Sequence, residues 1–173
     1  MLVKIRLAFV EWYRRRYERA IDGLQRILEL EPDLWIVYSG LQVVYSAAGR
    51  TAEALAAGEK GLALGGDRVA AHLGTYAVVC ATAGRTDQAR QLLARLEERE
   101  ARGYPSSVYI AGVHAALGDL DQAFEWLDRA VAERDGSLVY IAVAPGLADL
   151  LRADPRYARL LRKMGLEHLL PSA

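Results

Sequence analysis

The stretch Gly84-Arg85-Thr86-Asp87-Gln88-Ala89 occurs three times in this chain with variations. Gly49–Ala54 (GRTAEA) begins 35 residues earlier, and Gly118–Ala123 (GDLDQA) begins 34 residues later. In each copy a Gly can end one helix in the left-handed conformation, a short polar turn follows, and a small Ala opens the next apolar face. A period near 34 residues indicates a stacked repeat protein in which each unit is a pair of helices.

The composition is that of a folded protein with an ordinary hydrophobic core. Of 173 residues, 53% are apolar and 25% are charged, and the 22 acidic residues balance the 22 basic ones. With a net charge of zero, the chain as a whole has no positive electrostatic potential that would attract nucleic acid or an anionic membrane. Cys80 is the single cysteine, which excludes an intramolecular disulfide and a multi-cysteine metal site.

No segment of the sequence has the length and apolarity of a membrane anchor. A spanning helix needs about 20 consecutive apolar residues, and no stretch approaches that length. The first ten residues are interrupted by Lys4 and Arg6 and lack a small-residue cleavage site, so they do not predict a signal peptide. We predict a cytoplasmic protein that does not associate with a membrane.

The units resemble tetratricopeptide repeats. That family favours a small residue at the eighth position of the repeat and Ala at the twentieth. The eighth positions here are Ala8, Gln42, Ala77 and Ala111, and the twentieth positions are Ala20, Ala54, Ala89 and Ala123. The family's terminal proline is present only as Pro32. The resemblance implies an all-α, right-handed superhelix of four antiparallel helix pairs, at about residues 1–34, 35–69, 70–103 and 104–137.

Residues 138–173 are predicted to form a helical cap over the last repeat. A repeat stack exposes an apolar face at its terminal unit, and this segment can cover it. Asp154 and Pro155 are typical of the start of a helix, and Gly165 of its end. The series from Phe124 to Leu166 also resembles the end of bacterial tetratricopeptide proteins that are often attached to serine/threonine kinases or winged-helix transcription regulators. That resemblance implies a stand-alone version or a fragment of such a protein.

Two glycines make the second unit unusual. Gly58 and Gly61 fall where its second helix should present large apolar residues, and each costs about 1 kcal/mol against Ala in a helix interior. Two explanations are open. A neighbouring bulky side chain packs closely against the helix backbone, or the unit is a soft joint in the superhelix.

The residues that could carry chemistry fit a structural explanation better. None of the three histidines has a second His or a Cys at metal-ligand spacing. Cys80 and His114 occupy the repeat position that Tyr45 holds in the second unit, which is a packing position. We therefore predict no catalytic residue, no metal and no cofactor, with an enzyme as the competing class. Arg14–Arg16, beside Trp12 and Tyr17, is the best candidate for binding nucleic acid. Glu residues flank it, however, and we interpret the three arginines as solvated charges in a turn.

The repeat register also predicts a binding surface. In tetratricopeptide stacks the first helix of each unit lines the concave wall, and this chain lacks the Lys/Asn/Arg clamp that some members use for a terminal carboxylate. The resemblance therefore implies a non-catalytic interaction scaffold that binds an apolar or amphipathic protein segment. Alternatively, the chain's own tail or a second copy fills the groove. The positions mapped to the wall are Phe9, Trp12, Tyr13, Ile36, Ser39, Val43, Ala47, Ala71, Gly74, Val78, Thr82, Val108 and Gly112.

Overall fold

The computed structural model describes residues 2–104 and 106–169, and within them it contains helices and no strand. The predicted all-α helical repeat is therefore confirmed. None of the described helices is long and apolar enough to cross a membrane. The α-helices are α1 (Leu2–Tyr13), α2 (Tyr17–Leu28), α3 (Trp35–Ala47), α4 (Thr51–Ala63), α5 (Ala70–Thr82), α6 (Thr86–Ala101), α7 (Ser107–Ala116), α8 (Leu120–Glu133), α9 (Val139–Val143), α10 (Leu147–Leu151) and α11 (Pro155–Lys163). Short 3₁₀ turns lie at Gly66–Arg68, Gly136–Leu138 and Glu167–Leu169.

The repeated GRTDQA-type stretch forms the turn inside each helix pair, as predicted. Gly84 has φ of 77°, and the N–H of Arg85 reaches back to the carbonyl of Cys80 at 2.8 Å. This left-handed residue satisfies carbonyls at the end of α5 that would otherwise lack donors. Arg15 holds the equivalent place between α1 and α2 and adopts φ of 58° without being a glycine. The alanines at the twentieth repeat position (Ala20, Ala54, Ala89 and Ala123) are completely buried.

The helix pairs stack so that one row of helices lies inside. The first helices α1, α3, α5 and α7 pack on one another in sequence, and each second helix packs on the first helix of the next pair. Close contact along the row of first helices makes that row the inner layer of the stack. The repeat boundaries predicted above stay a prediction; the interval 138–173 also includes residues 170–173, which lie outside the described part of the chain.

The two unusual glycines of α4 are explained by close packing. The Tyr76 ring covers Gly58, where a Cβ would also lie 2.7 Å from Oε1 of Gln42. At Gly61 a Cβ would lie 2.6 Å from Cε1 of His72. Both rings come from α5, so large residues on the third unit occupy the space that the second unit leaves empty. The close-packing explanation is confirmed.

The last helix covers the end of the stack. Asp154 caps α11 by accepting a hydrogen bond from the backbone N–H of Arg156 at 2.8 Å, and Tyr157, Leu160 and Leu161 are buried. Two ion pairs tie α11 to α8: Arg156 to Asp121 at 2.7 Å and Lys163 to Asp128 at 2.6 Å. The predicted start of this helix at Asp154–Pro155 is confirmed.

Candidate interaction surface

Nine of the thirteen predicted wall positions lie at least partly at the surface of the inner row. Their side chains are apolar or small, so the row presents a wall with little charge. Phe9, Ile36, Ser39, Val43, Ala47, Ala71 and Val78 are half-buried, and Tyr13 and Thr82 are exposed. This wall runs from the C-terminal half of α1 across α3 to α5.

The other four predicted positions are buried. Trp12 packs edge-on against Phe9, with ring centroids 5.7 Å apart. Gly74 lies under Tyr109 of α7, whose Cβ would be 2.5 Å from a Cβ at position 74. Val108, at 1% exposure, and Gly112 are buried as well, and Gly112 faces Leu147 of α10 and Val78 of α5. These residues shape the wall without offering side-chain surface to a partner.

The segment that covers the fourth unit is α9–α10. Leu147 of α10 lies against α7, with its Cδ1 3.1 Å from the place of a Cβ on Gly112. Asp149 reaches Arg15, in the α1–α2 turn, at 3.7 Å between carboxylate and guanidinium. The same segment therefore touches both the last and the first helix pair. The sequence predicts this segment as a cap over the last repeat and leaves open that the tail fills the groove. The helices that so short an apolar segment contacts cannot be read from its periodicity.

Tyr13 of α1 and Tyr140 of α9 are exposed neighbours at one edge of the wall. Tyr13 is 37% exposed and Tyr140 is 44% exposed. Burial and, to a smaller extent, the neighbouring Tyr140 raise the pKa of Tyr13 to about 12. Val139 and Val143, one helical turn apart on α9, are also exposed.

The histidine with the most contacts is structural. His72 is fully buried, and its Nε2 lies 3.2 Å from the carbonyl oxygen of Gly58, which can only accept, so Nε2 carries the proton. Nδ1 then accepts from Nε2 of Gln42 at 3.3 Å, and the same amide donates to Thr75 at 2.6 Å. Burial lowers the pKa of His72, which keeps the ring neutral. The network joins α3, α4 and α5.

The network also explains why Gln42 departs from the small residue of its repeat position. The sequence alone does not connect Gln42 with His72, since they are 30 residues apart. The signal was present as two irregularities in neighbouring units: a polar residue in place of a small one, and a histidine opposite a glycine. Buried polar groups need hydrogen-bond partners, and Nε2 of Gln42 supplies one to Nδ1 of His72. Oε1 of Gln42 is buried without a hydrogen-bond partner among the described residues.

The single thiol is not arranged as a nucleophile. Cys80 is completely buried, and burial raises the pKa of its thiol, whereas activated cysteines have lowered values. His114 faces carboxylates instead, at 3.9 Å from Glu97 and 3.7 Å from Asp119. Among the described residues, no group of three His, Cys, Asp or Glu side chains could hold a metal ion.

The three consecutive arginines that could attract nucleic acid all face carboxylates. Arg14 and Arg16 lie 3.8 and 3.5 Å from Glu11, and Arg15 lies 3.7 Å from Asp149. Ion pairing leaves less positive charge for phosphate groups. The cluster ties the α1–α2 turn to its own helix and to α10.

Comparison with known proteins agrees with the repeat pattern. A family model described as tetratricopeptide repeat matches residues 45–106, which extend from the end of α3 through α6 to the loop before α7. No curated protein sequence matches the chain.

Proposed function

We propose that this chain is a non-catalytic interaction module that holds a segment of a partner protein on its inner wall. The match of residues 45–106 to a tetratricopeptide repeat model supports this proposal. Proteins of this family are generally scaffolds for protein–protein interaction. The partner segment lies on α1, α3 and α5, beside α9–α10. The observation that carries the proposal is the row of half-buried apolar side chains on these three helices, bordered by Tyr13 and Tyr140.

The chemistry of the wall indicates the class of partner. Ile36, Val43 and Val78 offer apolar contact, while Ser39 and Ala71 contribute small side chains. An extended or helical segment with apolar anchor residues can bury such a surface, as in helix-in-groove recognition. The wall's lack of charge disfavours a strongly charged peptide.

The test is substitution on the wall, with a matched control elsewhere. Val43→Glu and Val78→Glu place a carboxylate among apolar groups and should abolish co-purification of the partner from the native host. Leu30→Glu, at a 67% exposed position after α2, should not change it. Circular dichroism must show that all three variants are folded. Undiminished co-purification by both wall variants would refute the proposal.

A second candidate is that the chain's own α9–α10 fills the groove and partners must displace it. It is favoured by the contact of Leu147 with Gly112 and by the Arg15–Asp149 pair. Cysteines at positions 15 and 149, joined by a short bismaleimide, would fix α10 to the α1–α2 turn. The native Cys80 is buried and should not react with the reagent. A partner that binds beside the tail should still bind the locked protein, whereas a partner that displaces the tail should not.

A further inference from the structure

The outer face of α1 carries an apolar stripe that no described residue covers. Val3, Leu7 and Val10 follow helical spacing and are 70%, 61% and 41% exposed. Beside the stripe, a groove of about 330 Å³ runs between α1 and α2, with Ala8 and Gly23 among the residues that line it.

The same repeat positions are buried in each later unit. Thirty-four residues on, α3 carries the identical side chains Val37, Leu41 and Val44, at 0%, 3% and 0% exposure. Their cover is the preceding second helix, α2, which packs on α3. The corresponding residues of α5 (His72, Tyr76 and Val79) are buried as well, and so are Ser106, just before α7, and Ile110 and Val113 within α7. The stripe on α1 therefore lies at the positions that the preceding second helix covers in the later units, but no described helix covers it.

A repeating ion pair accompanies this stacking. Lys60 of α4 lies 3.7 Å from Asp33, which follows α2. One unit on, Arg95 lies 3.7 Å from Asp67, and in the next unit Arg129 lies 3.2 Å from Glu100. In each case the second helix of a pair offers a cation to a carboxylate near the end of the preceding unit.

Arg26 holds the equivalent position in the first unit. No carboxylate of the described residues lies within 4 Å of it, nor of Lys4 and Arg19, which line the same groove. Among the described residues that line the groove, the one acidic side chain is Glu11, which faces Arg14 and Arg16. The groove thus combines an apolar stripe with cations that pair with no carboxylate among the described residues.

We propose that this end of the stack binds an amphipathic helix of another protein, with an acidic residue just beyond the helix that pairs with Arg26. The charges disfavour a second copy as the occupant. Two copies meeting end to end would bring the same cations together, and the outward side of α11 presents Arg159 and Arg162. The helix that binds here should resemble α2, which covers the equivalent residues of α3.

The probe is a fluorescently labelled synthetic peptide of residues 17–33, which contains α2 and Asp33. Fluorescence anisotropy with the full chain should show saturable binding. Leu7→Glu, at an exposed position, should abolish it, and Arg26→Glu should weaken it about tenfold. The peptide with Asp33→Lys should bind the Arg26→Glu protein better than it binds the unchanged protein, because the charges are exchanged.

Controls separate this site from the inner wall. Val43→Glu should leave binding of the peptide unchanged, and Leu7→Glu should leave co-purification of the wall partner unchanged. Absence of saturable binding, or equal binding by the Leu7→Glu protein, would overturn the proposal. So would a dimer of the unchanged chain that Leu7→Glu converts to a monomer in light scattering, since the occupant would then be a second copy.

Discussion

Two glycine-to-alanine substitutions should change stability in opposite directions. Gly23 and Gly74 both lie inside helices, α2 and α5, so replacement by Ala gains about 1 kcal/mol of helix propensity at either site. The sequence alone therefore predicts equal stabilisation. The surroundings differ, and the difference decides the sign at each position.

At Gly23 an added Cβ meets only Ala8, with 3.5 Å between the two Cβ atoms, which is an ordinary contact. At Gly74 the added Cβ lies 2.5 Å from Cβ and 3.3 Å from Cα of Tyr109. Those atoms cannot move aside by a change of rotamer, so α5 and α7 must separate. Overpacking of this kind costs about 3 kcal/mol, which leaves a net loss of about 2 kcal/mol.

Thermal unfolding followed by circular dichroism measures both effects. For a chain of this size 1 kcal/mol shifts Tm by roughly 2–4 °C. Gly23→Ala should therefore raise Tm by roughly 2–4 °C, and Gly74→Ala should lower it by roughly 4–8 °C. Equal stabilisation by both substitutions would refute the close approach of α5 and α7 from which the wall is built.

Three further predictions concern titratable and reactive groups. Burial lowers the pKa of His72, so on acidification the unfolded chain takes up the histidine proton before the folded chain does, and stability should fall as the pH drops below about 6.5. The slope of Tm against pH should be smaller in His72→Gln, which lacks this proton. The side chain of Arg156 and its backbone N–H lower the pKa of Asp154 to about 2, so Asp154→Ala should lower Tm at pH 7. The difference in Tm between the variant and the unchanged protein should shrink between about pH 4 and pH 2, and a constant difference would contradict this. Iodoacetamide should leave Cys80 unmodified in the native chain and modify it in urea, whereas rapid native labelling would show an accessible thiol.

The features that were predictable from the sequence are local and periodic. Gly84 and its two counterparts located the turns, and the alanine spacing located the buried faces, because both follow from the geometry of a single helix pair. The start of α11 at Asp154 was predictable for the same reason, since helix capping depends on neighbouring residues.

The features that were not predictable depend on contacts between distant residues. The position of Leu147 on Gly112 depends on where a short apolar run finds a matching surface, which periodicity does not encode. The exposed stripe at Val3 and Leu7 was missed because its residues match those that are buried in later units. Only the stacking of the helices distinguishes the two environments.

Site-specific photocrosslinking in the native host tests the proposed function most directly. A benzoylphenylalanine at Val43, on the inner wall, should form a covalent adduct with a second polypeptide. The same group at Leu30, which is exposed after α2, should not form that adduct. An adduct at position 43 alone is the result we predict; no adduct there, or the same adduct from both positions, would contradict a partner segment on the wall.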